Sequence, residues 1–357
     1  PFIQNVMLSG ELPGLAVGIV AGGETVYARG FGVQSVETQE PVTMTTLFHM
    51  ASISKPFSAT ALMQLAEKGV LHLNAPVATC LPYFKLDDER CGGISVQQML
   101  SHVSGMPDVE DYEWDRPQYD DGALERYVRS LTSKKLLFDP GQKFAYSNMA
   151  FECLGDVIAK VSGTTFDDYA KKHILDPAGM ADSTFLKPPY LPKNWAAPHV
   201  FVLERSAWGG YPYNRMHGPS STLHSNALEM CNWAITNLRR GSFAGRQILD
   251  PASYDVLWQP RVDARDGRQV GLSWFLAAYR GEKCVQHGGG DTGFATHFIL
   301  LPDKQAAVVV LCNMIPAPVE ELAHSALDIL LGYPPTPVRL SACLPVFKTL
   351  AGQGLDA

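Results

Sequence analysis

The sequence predicts an α+β fold (α/β in the broad sense): one antiparallel sheet built from both chain ends, flanked by helices, with a mostly helical section inserted between them. Three observations predict it. A hairpin pattern lies near the start, four strand patterns follow residue 265, and helical patches split by Pro-, Gly- and Asp-rich loops fill the middle. At 357 residues the chain exceeds one small core. The expected division is a discontinuous sheet domain (1–70 and 225–335), a mainly helical domain (71–224) and a tail (336–357).

Taken in order, "LAVGIVA" (15–21) and "TVYARGFGV" (25–33) flank Gly22-Gly23, a pair that tolerates positive φ in a tight turn. The apolar run "LFHMA" (47–51) leads into a helix pattern in which Phe57, Ala61, Leu62 and Leu65 recur at helical spacing. Pro56 lies in its first turn and Gly69 marks its end. "SVQQMLSHVSG", "GALERYVRSL" and "FECLGDVIAKVSG" are the helical patches of the middle section. The late strands are "VGLSWFLAAY", "KCVQHGG", "FATHFILLP" and "QAAVVVLCNM", with a turn at Pro302-Asp303. A helix over 319–332 closes the section.

Bulk composition excludes several roles. Hydrophobic residues make up 46% and charged residues 18%, an ordinary globular balance, and the net charge of −7 comes without any basic cluster. Nucleic acid and anionic membrane are therefore not expected as partners. No apolar run reaches the length of a membrane span. Seven cysteines are scattered without a C-x-x-C pair, which predicts buried free thiols. With no signal-peptide pattern in the sequence, a cytoplasmic location is the expectation, a secreted or periplasmic one with a trimmed signal its alternative. His217, His224 and His297 lack metal-ligand spacing to acidic or cysteine partners, so neither metal nor cofactor is expected.

Three short motifs carry possible chemistry. Ser52 and Lys55 stand three apart on a helix that begins near Ser52, so the lysine points back at the serine hydroxyl. A serine needs such a base, and a buried lysine is one when neutral. Tyr146 and Asn148 lie on the loop entering a helix. A phenol there can shuttle a proton. Asn148 can donate to a substrate carbonyl or bind Lys55, or else Ser147 or Asn148 simply caps the helix. His287-Gly-Gly-Gly-Asp-Thr-Gly293 admits three readings. A dinucleotide loop must open a helix, but the β-rich "FATHFILLP" follows. A lipase oxyanion loop needs a G-x-S-x-G elbow, which is missing. There remains a strand that ends in His287 and in glycines admitting a backbone or substrate close by.

With S-x-x-K at Ser52–Lys55, Y-x-N at Tyr146–Asn148 and an H-x-G strand motif at His287–Gly289, in that order, the chain resembles the serine β-lactamase and penicillin-binding-protein superfamily. It looks most like the class C β-lactamases with their esterase, D-aminopeptidase and transacylase relatives. The phrases "LFHMASISKPFSA", "MLSHVSGM", "FDPGQKFAYSN" and "VGLSWF" support the likeness, which covers roughly residues 12–332. The resemblance implies a β-lactamase/transpeptidase-like fold and acylation of Ser52, with Lys55 and Tyr146 sharing the base and acid roles. It implies an oxyanion hole from the backbone N–H groups of Ser52 and Gly290. Substrate would be held by Asn148, His287, Gly288 and Gly289, with Asn148 on its carbonyl side and His287 supporting Tyr146 or touching substrate. The partner would be a small acyl donor, with water or an acceptor alcohol or amine resolving the acyl-enzyme. Where β-lactamases usually carry Lys-Thr-Gly this chain has His-Gly-Gly, with less charge and no hydroxyl for a carboxylate.

These features predict an esterase or acyltransferase on a small ester. Amide hydrolysis by a D-aminopeptidase, D,D-peptidase or weak β-lactamase is the alternative on the same site. A catalytically idle binding or assembly protein is the reading from another class. Aromatic residues in "YEWDRPQY" (112–119) and "AWGGYPYNRMHG" (207–218) are candidates for a cleft lining.

Overall fold

A computed structural model describes residues 2–201, 205–207 and 210–339. Cys343 and all but the first four residues of the tail lie outside the described residues, as do Trp208 and Gly209 of the second aromatic stretch.

Helix α1 (Phe2–Gly10) precedes the hairpin, a departure from the sequence expectation. Its nine residues carry no acidic first turn, so it is held by packing of Met7 into an apolar cluster under the sheet rather than by a local signal. Strands β1 (Gly14–Ala21) and β2 (Glu24–Gly32) then form the hairpin, with Gly22 and Gly23 at φ 61° and 75°. The two-residue strand β3 (Phe48–His49) leads through one 3-10 turn (Ala51–Ile53) into helix α2 (Ser54–Glu67).

The sequence pattern of α2 suggests one apolar face, yet every residue from Ser54 to Leu65 is buried. The helix runs through the centre of the molecule, and its polar side chains are satisfied there. Ser58 donates to the Pro219 carbonyl at 2.7 Å, and Gln64 to the carbonyls of His173 and Ile248 at 2.9 and 2.7 Å. Phe57 stacks on Trp233 with ring centroids 4.2 Å apart. Burial of Phe57, Leu62 and Leu65 contributes roughly 1.5–3 kcal/mol each.

The middle section supplies helices α3 (Val96–Leu100), α4 (Ala123–Ser130) and α5 (Asn148–Ser162), and no strand of the large sheet. Strand β4 (His224–Ser225) pairs with β3 and opens the return to the sheet. Helix α6 (Ala227–Leu238) follows and lies on β1. Gly18 is the contact point, since a Cβ there would sit 2.5 Å from Cys231 Sγ. Strands β5 (Val262–Asp263), β6 (Gln269–Val270), β7 (Phe275–Tyr279), β8 (Glu282–Asp291), β9 (Phe294–Leu301) and β10 (Ala306–Cys312) complete the sheet before helix α7 (Val319–Leu330).

The eight strands run antiparallel in the order β2-β1-β10-β9-β8-β7-β6-β5, so both chain ends meet where β1 pairs with β10 from Leu15↔Cys312 to Val20↔Ala307. Every residue of β9 and β10 is buried, because α6 covers one face and α7 the other. That double burial explains their continuous apolar runs. Among the described residues six cysteines are free thiols, and no helix is long and apolar enough to cross a membrane.

Candidate active site

Ser52 sits in the 3-10 turn, after Ala51 in the left-handed region at φ 48°. Ser54 pins the turn, its hydroxyl donating to the Ala51 carbonyl at 2.7 Å and accepting from Leu223 N–H at 2.9 Å. The i,i+3 expectation holds, with Lys55 Nζ 3.0 Å from Ser52 Oγ.

Lys55 is fully buried and has three oxygen neighbours: Ser52 Oγ, Asn148 Oδ1 at 2.5 Å and the Ser220 carbonyl at 3.0 Å. Burial lowers its pKa to about 7, against the opposing charges of Glu152, Asp108 and Asp291. Two of the three oxygens, on Asn148 and Ser220, can only accept. A neutral Lys55 therefore keeps its two N–H bonds for them and turns its lone pair toward Ser52.

Ser147 is the N-cap of α5, its hydroxyl accepting from Ala150 N–H at 3.1 Å. Ser147 thus supplies the cap, and the neighbouring Asn148 binds Lys55. Asn148 gives its oxygen to Lys55 and its amide to Asp108, at 2.9 and 3.3 Å from the two carboxylate oxygens. The amide of Asn148, expected on the substrate's carbonyl side, faces the Asp108 carboxylate. Glu152, one turn further along α5, is buried with its pKa raised by burial. It is met by His217 Nδ1 at 3.0 Å and by the Ser220 hydroxyl at 2.5 Å.

Burial holds the Tyr146 phenol well above its ordinary range, with the neighbouring Ser52 side chain acting in the opposite direction. Its ring stacks on His102 at 4.3 Å and lies 4.8 Å from Lys55 Nζ. His102 accepts from Ser147 N–H at 3.1 Å, which fixes both the histidine and the loop that carries Tyr146.

The third motif forms the far end of β8. Its pairing with β7 stops at Phe275↔Gln286, while pairing with β9 continues to Asp291↔Phe294, so residues 287–291 have one open edge. Asp291 and Phe294 close a two-residue turn, which makes them a hydrogen-bonded pair and Gly290↔Ala295 the next, non-bonded one. The N–H groups of Gly290 and Gly288 therefore face the open edge, where both residues are exposed. Gly289 faces the other way, and a Cβ on it would lie 2.3 Å from both the Met50 carbonyl oxygen and Thr296 Oγ1. Its bare backbone lets β8 lie directly against the chain entering Ser52.

His287 is only 2% exposed, with Nδ1 2.7 Å from the Gly288 carbonyl and no hydrogen bond to Tyr146. Burial, with the nearby Lys55 charge, lowers its pKa to about 3, so the imidazole is neutral.

Sequence reasoning missed His102, Asp108, Glu152, His217, Ser220 and the clasp of His49 Nε2 on Asp291 Oδ2 at 3.2 Å. Glu152 had a signal, since it stands i+4 from Asn148 on the same helix face. Asp108 had none. The aromatic stretches gather near the site in part, with Tyr112 on Trp114 at 4.8 Å and Tyr211 edge-on to His49 at 6.3 Å. Among the described residues no group of three or more His, Cys, Asp and Glu side chains is placed to hold a metal ion.

Comparison with known proteins adds four findings. The sequence profile of the family described as Beta-lactamase matches residues 2–331. Protein Flp of Staphylococcus aureus (strain MW2) is 26% identical over 332 residues, covering 90% of this chain but 64% of Flp, so the chain spans less than two thirds of that relative. Among solved structures, the octameric penicillin-binding protein homologue from Pyrococcus abyssi superposes with a TM-score of 0.81 at 28% identity, over 94% of this chain and 77% of its own. A class C β-lactamase from Rhodobacter sphaeroides shares the fold, with a TM-score of 0.75 at 22% identity over 92% and 97% of the two chains.

Proposed function

Because the chain belongs to the Beta-lactamase family, we propose that it is a serine hydrolase working through an acyl-Ser52 intermediate on a small ester substrate. The observation that carries this reading is the three-oxygen surround of Lys55, which reserves its lone pair for the Ser52 proton.

In acylation, Ser52 Oγ attacks the acyl carbon and its proton passes to Lys55 Nζ. The oxyanion is met by the N–H groups of Ser52 and Gly290. The C–O bond to the leaving group breaks, and Tyr146 relays the proton from Lys55 to the departing alkoxide. Water or an acceptor alcohol or amine then attacks the acyl carbon, the bond to Ser52 Oγ breaks, and the proton of the attacking group returns by the same route to Ser52 Oγ. Lys55 is the base rather than Tyr146, because its pKa near 7 leaves a large neutral fraction where the phenol stays protonated. Asn148 orients Lys55, and His287 supports the floor of the site. A neutral, buried His287 gives no cation beside the acyl carbon, which favours an ester over a β-lactam or a D-alanyl amide at the reacting end.

Intact-mass spectrometry after a fluorophosphonate should show one adduct on Ser52, absent from Ser52→Ala. Equal labelling of the two proteins sinks the assignment. Short nitrophenyl esters should turn over faster than a chromogenic cephalosporin or D-alanyl amides, and the reverse order selects the amide-hydrolase reading.

A further inference from the structure

Beside the cleft lies a cavity of about 850 Å³ whose wall includes Lys187, Trp195, Tyr211, Tyr213 and Trp114. Two of these rings lead back to the site. Tyr211 packs against Phe294 at 5.6 Å and against His49, so it touches both the turn of β8 and the strand that enters Ser52. Trp114 stacks on Tyr112, whose pKa is raised by burial and then by Asp108, Glu152 and Asp291 around the cleft.

Lys187 is out of place for a structural residue. It is 6% exposed, and its ammonium donates to one acceptor, the Pro188 carbonyl at 2.9 Å, while lying 4.9 Å from the Tyr211 ring centroid. Among the described residues no carboxylate comes within ion-pair distance of it. Among the described residues the Tyr211 hydroxyl next to it is buried without a hydrogen-bond partner, as are both ring nitrogens of His224, which packs on Trp195 at 4.5 Å. A buried cation with unfilled donors costs stability unless something completes it. Burial lowers the Lys187 pKa, and an anion arriving at Nζ reverses that shift. Glu37, Glu40 and Asp115 also line the cavity, but all three are exposed and screened by solvent.

We infer that this cavity is a subsite for a carboxylate carried by the substrate of Ser52, with Lys187 supplying the charge and the aromatic rings holding an apolar stem. The inference rests on the Ser52 reading and extends it. Charge that His287 and Gly288 do not provide beside the acyl carbon is provided farther along the substrate, at the wall of the neighbouring aromatic-lined cavity. The substrate class is an ester whose acyl chain ends in a carboxylate.

The test uses mono-nitrophenyl esters of succinic, glutaric, adipic and suberic acids, each paired with the neutral ester of equal length. One chain length should exceed its neutral partner in kcat/KM by about 10- to 100-fold, the range of a hydrogen bond to a charged group. Lys187→Met should bring that ratio close to one, and Lys187→Arg should keep most of it. Both esters are read on one preparation, so partial misfolding changes both rates and leaves the ratio intact. The subsite is overturned if no chain length is preferred, or if Lys187→Met keeps the wild-type ratio while esters are still hydrolysed. Absence of hydrolysis and of acyl-Ser52 with every ester overturns the Ser52 reading, and this one with it.

Discussion

The two walls of the Ser52 cleft are built from different materials. On the α2–α5 side the groups are polar and ionisable side chains: buried Lys55, Asn148 with the exposed Asp108, and buried Glu152 with His217. On the β8 side they are backbone N–H groups, presented by glycines at an open strand edge. In the proposed mechanism the first wall works by charge and proton affinity, so changing one functional group there changes the chemistry. The second works by position, so what matters is whether the backbone can reach its place.

Lys55→Met is then the most damaging change that preserves size. Losing the base should lower kcat by about 10²- to 10⁴-fold while the fold persists, as judged by circular dichroism. On the other wall Gly289→Ala should come next. Its Cβ would lie 2.3 Å from the Met50 carbonyl, forcing β8 away from Ser52. A misplacement on the order of 1 Å costs about 10²-fold in kcat, and the clash should lower stability by about 1–3 kcal/mol in urea titration.

Acidity addresses only the charged wall. With Lys55 held at about 7, kcat/KM should fall tenfold per unit as pH drops below that value and level off above it. A profile flat down to pH 5 would remove Lys55 as the base. The same shift has a stability sign. Between about 7 and the ordinary 10.5 the unfolded chain binds a proton on Lys55 that the folded one has released, so this group makes stability rise with pH across that window.

Two smaller effects sharpen the positional wall. His49→Ala removes the clasp on Asp291 at the tip of β8 and should cost about tenfold in kcat, the worth of one hydrogen bond to a charged group, with KM little changed. Gly290→Ala should change the rate less than about threefold, because a Cβ there meets only Ile315 Cδ1 at an ordinary 3.4 Å and the N–H remains. A larger loss for Gly290→Ala than for Gly289→Ala would reverse the roles assigned to the two glycines.

Much of the site was legible because its pairs are local. Ser52 and Lys55 are three residues apart, and helical geometry alone brings them together. The apolar runs of β9 and β10 announced strands, and Gly22-Gly23 announced the first hairpin. Helix α1 was not legible, since Met7 is held by partners distant in the chain. Nor was the full burial of α2, because the elements that cover it come from every section of the sequence.

The sequence by itself determined which residues can do chemistry: a serine and a lysine one helical turn apart, a tyrosine and an asparagine at a helix start, and glycines at a strand end. Tertiary structure alone decided their states. Lys55 meets Asn148 across 93 residues and the Ser220 carbonyl across 165, and those contacts with the surrounding burial bring its pKa to about 7. The turn of Asn148 toward Asp108, the open edge of Gly290 and the isolation of Lys187 have the same origin. Reactivity of a buried group depends on which dipoles and charges surround it, and those neighbours are assembled only when the chain folds.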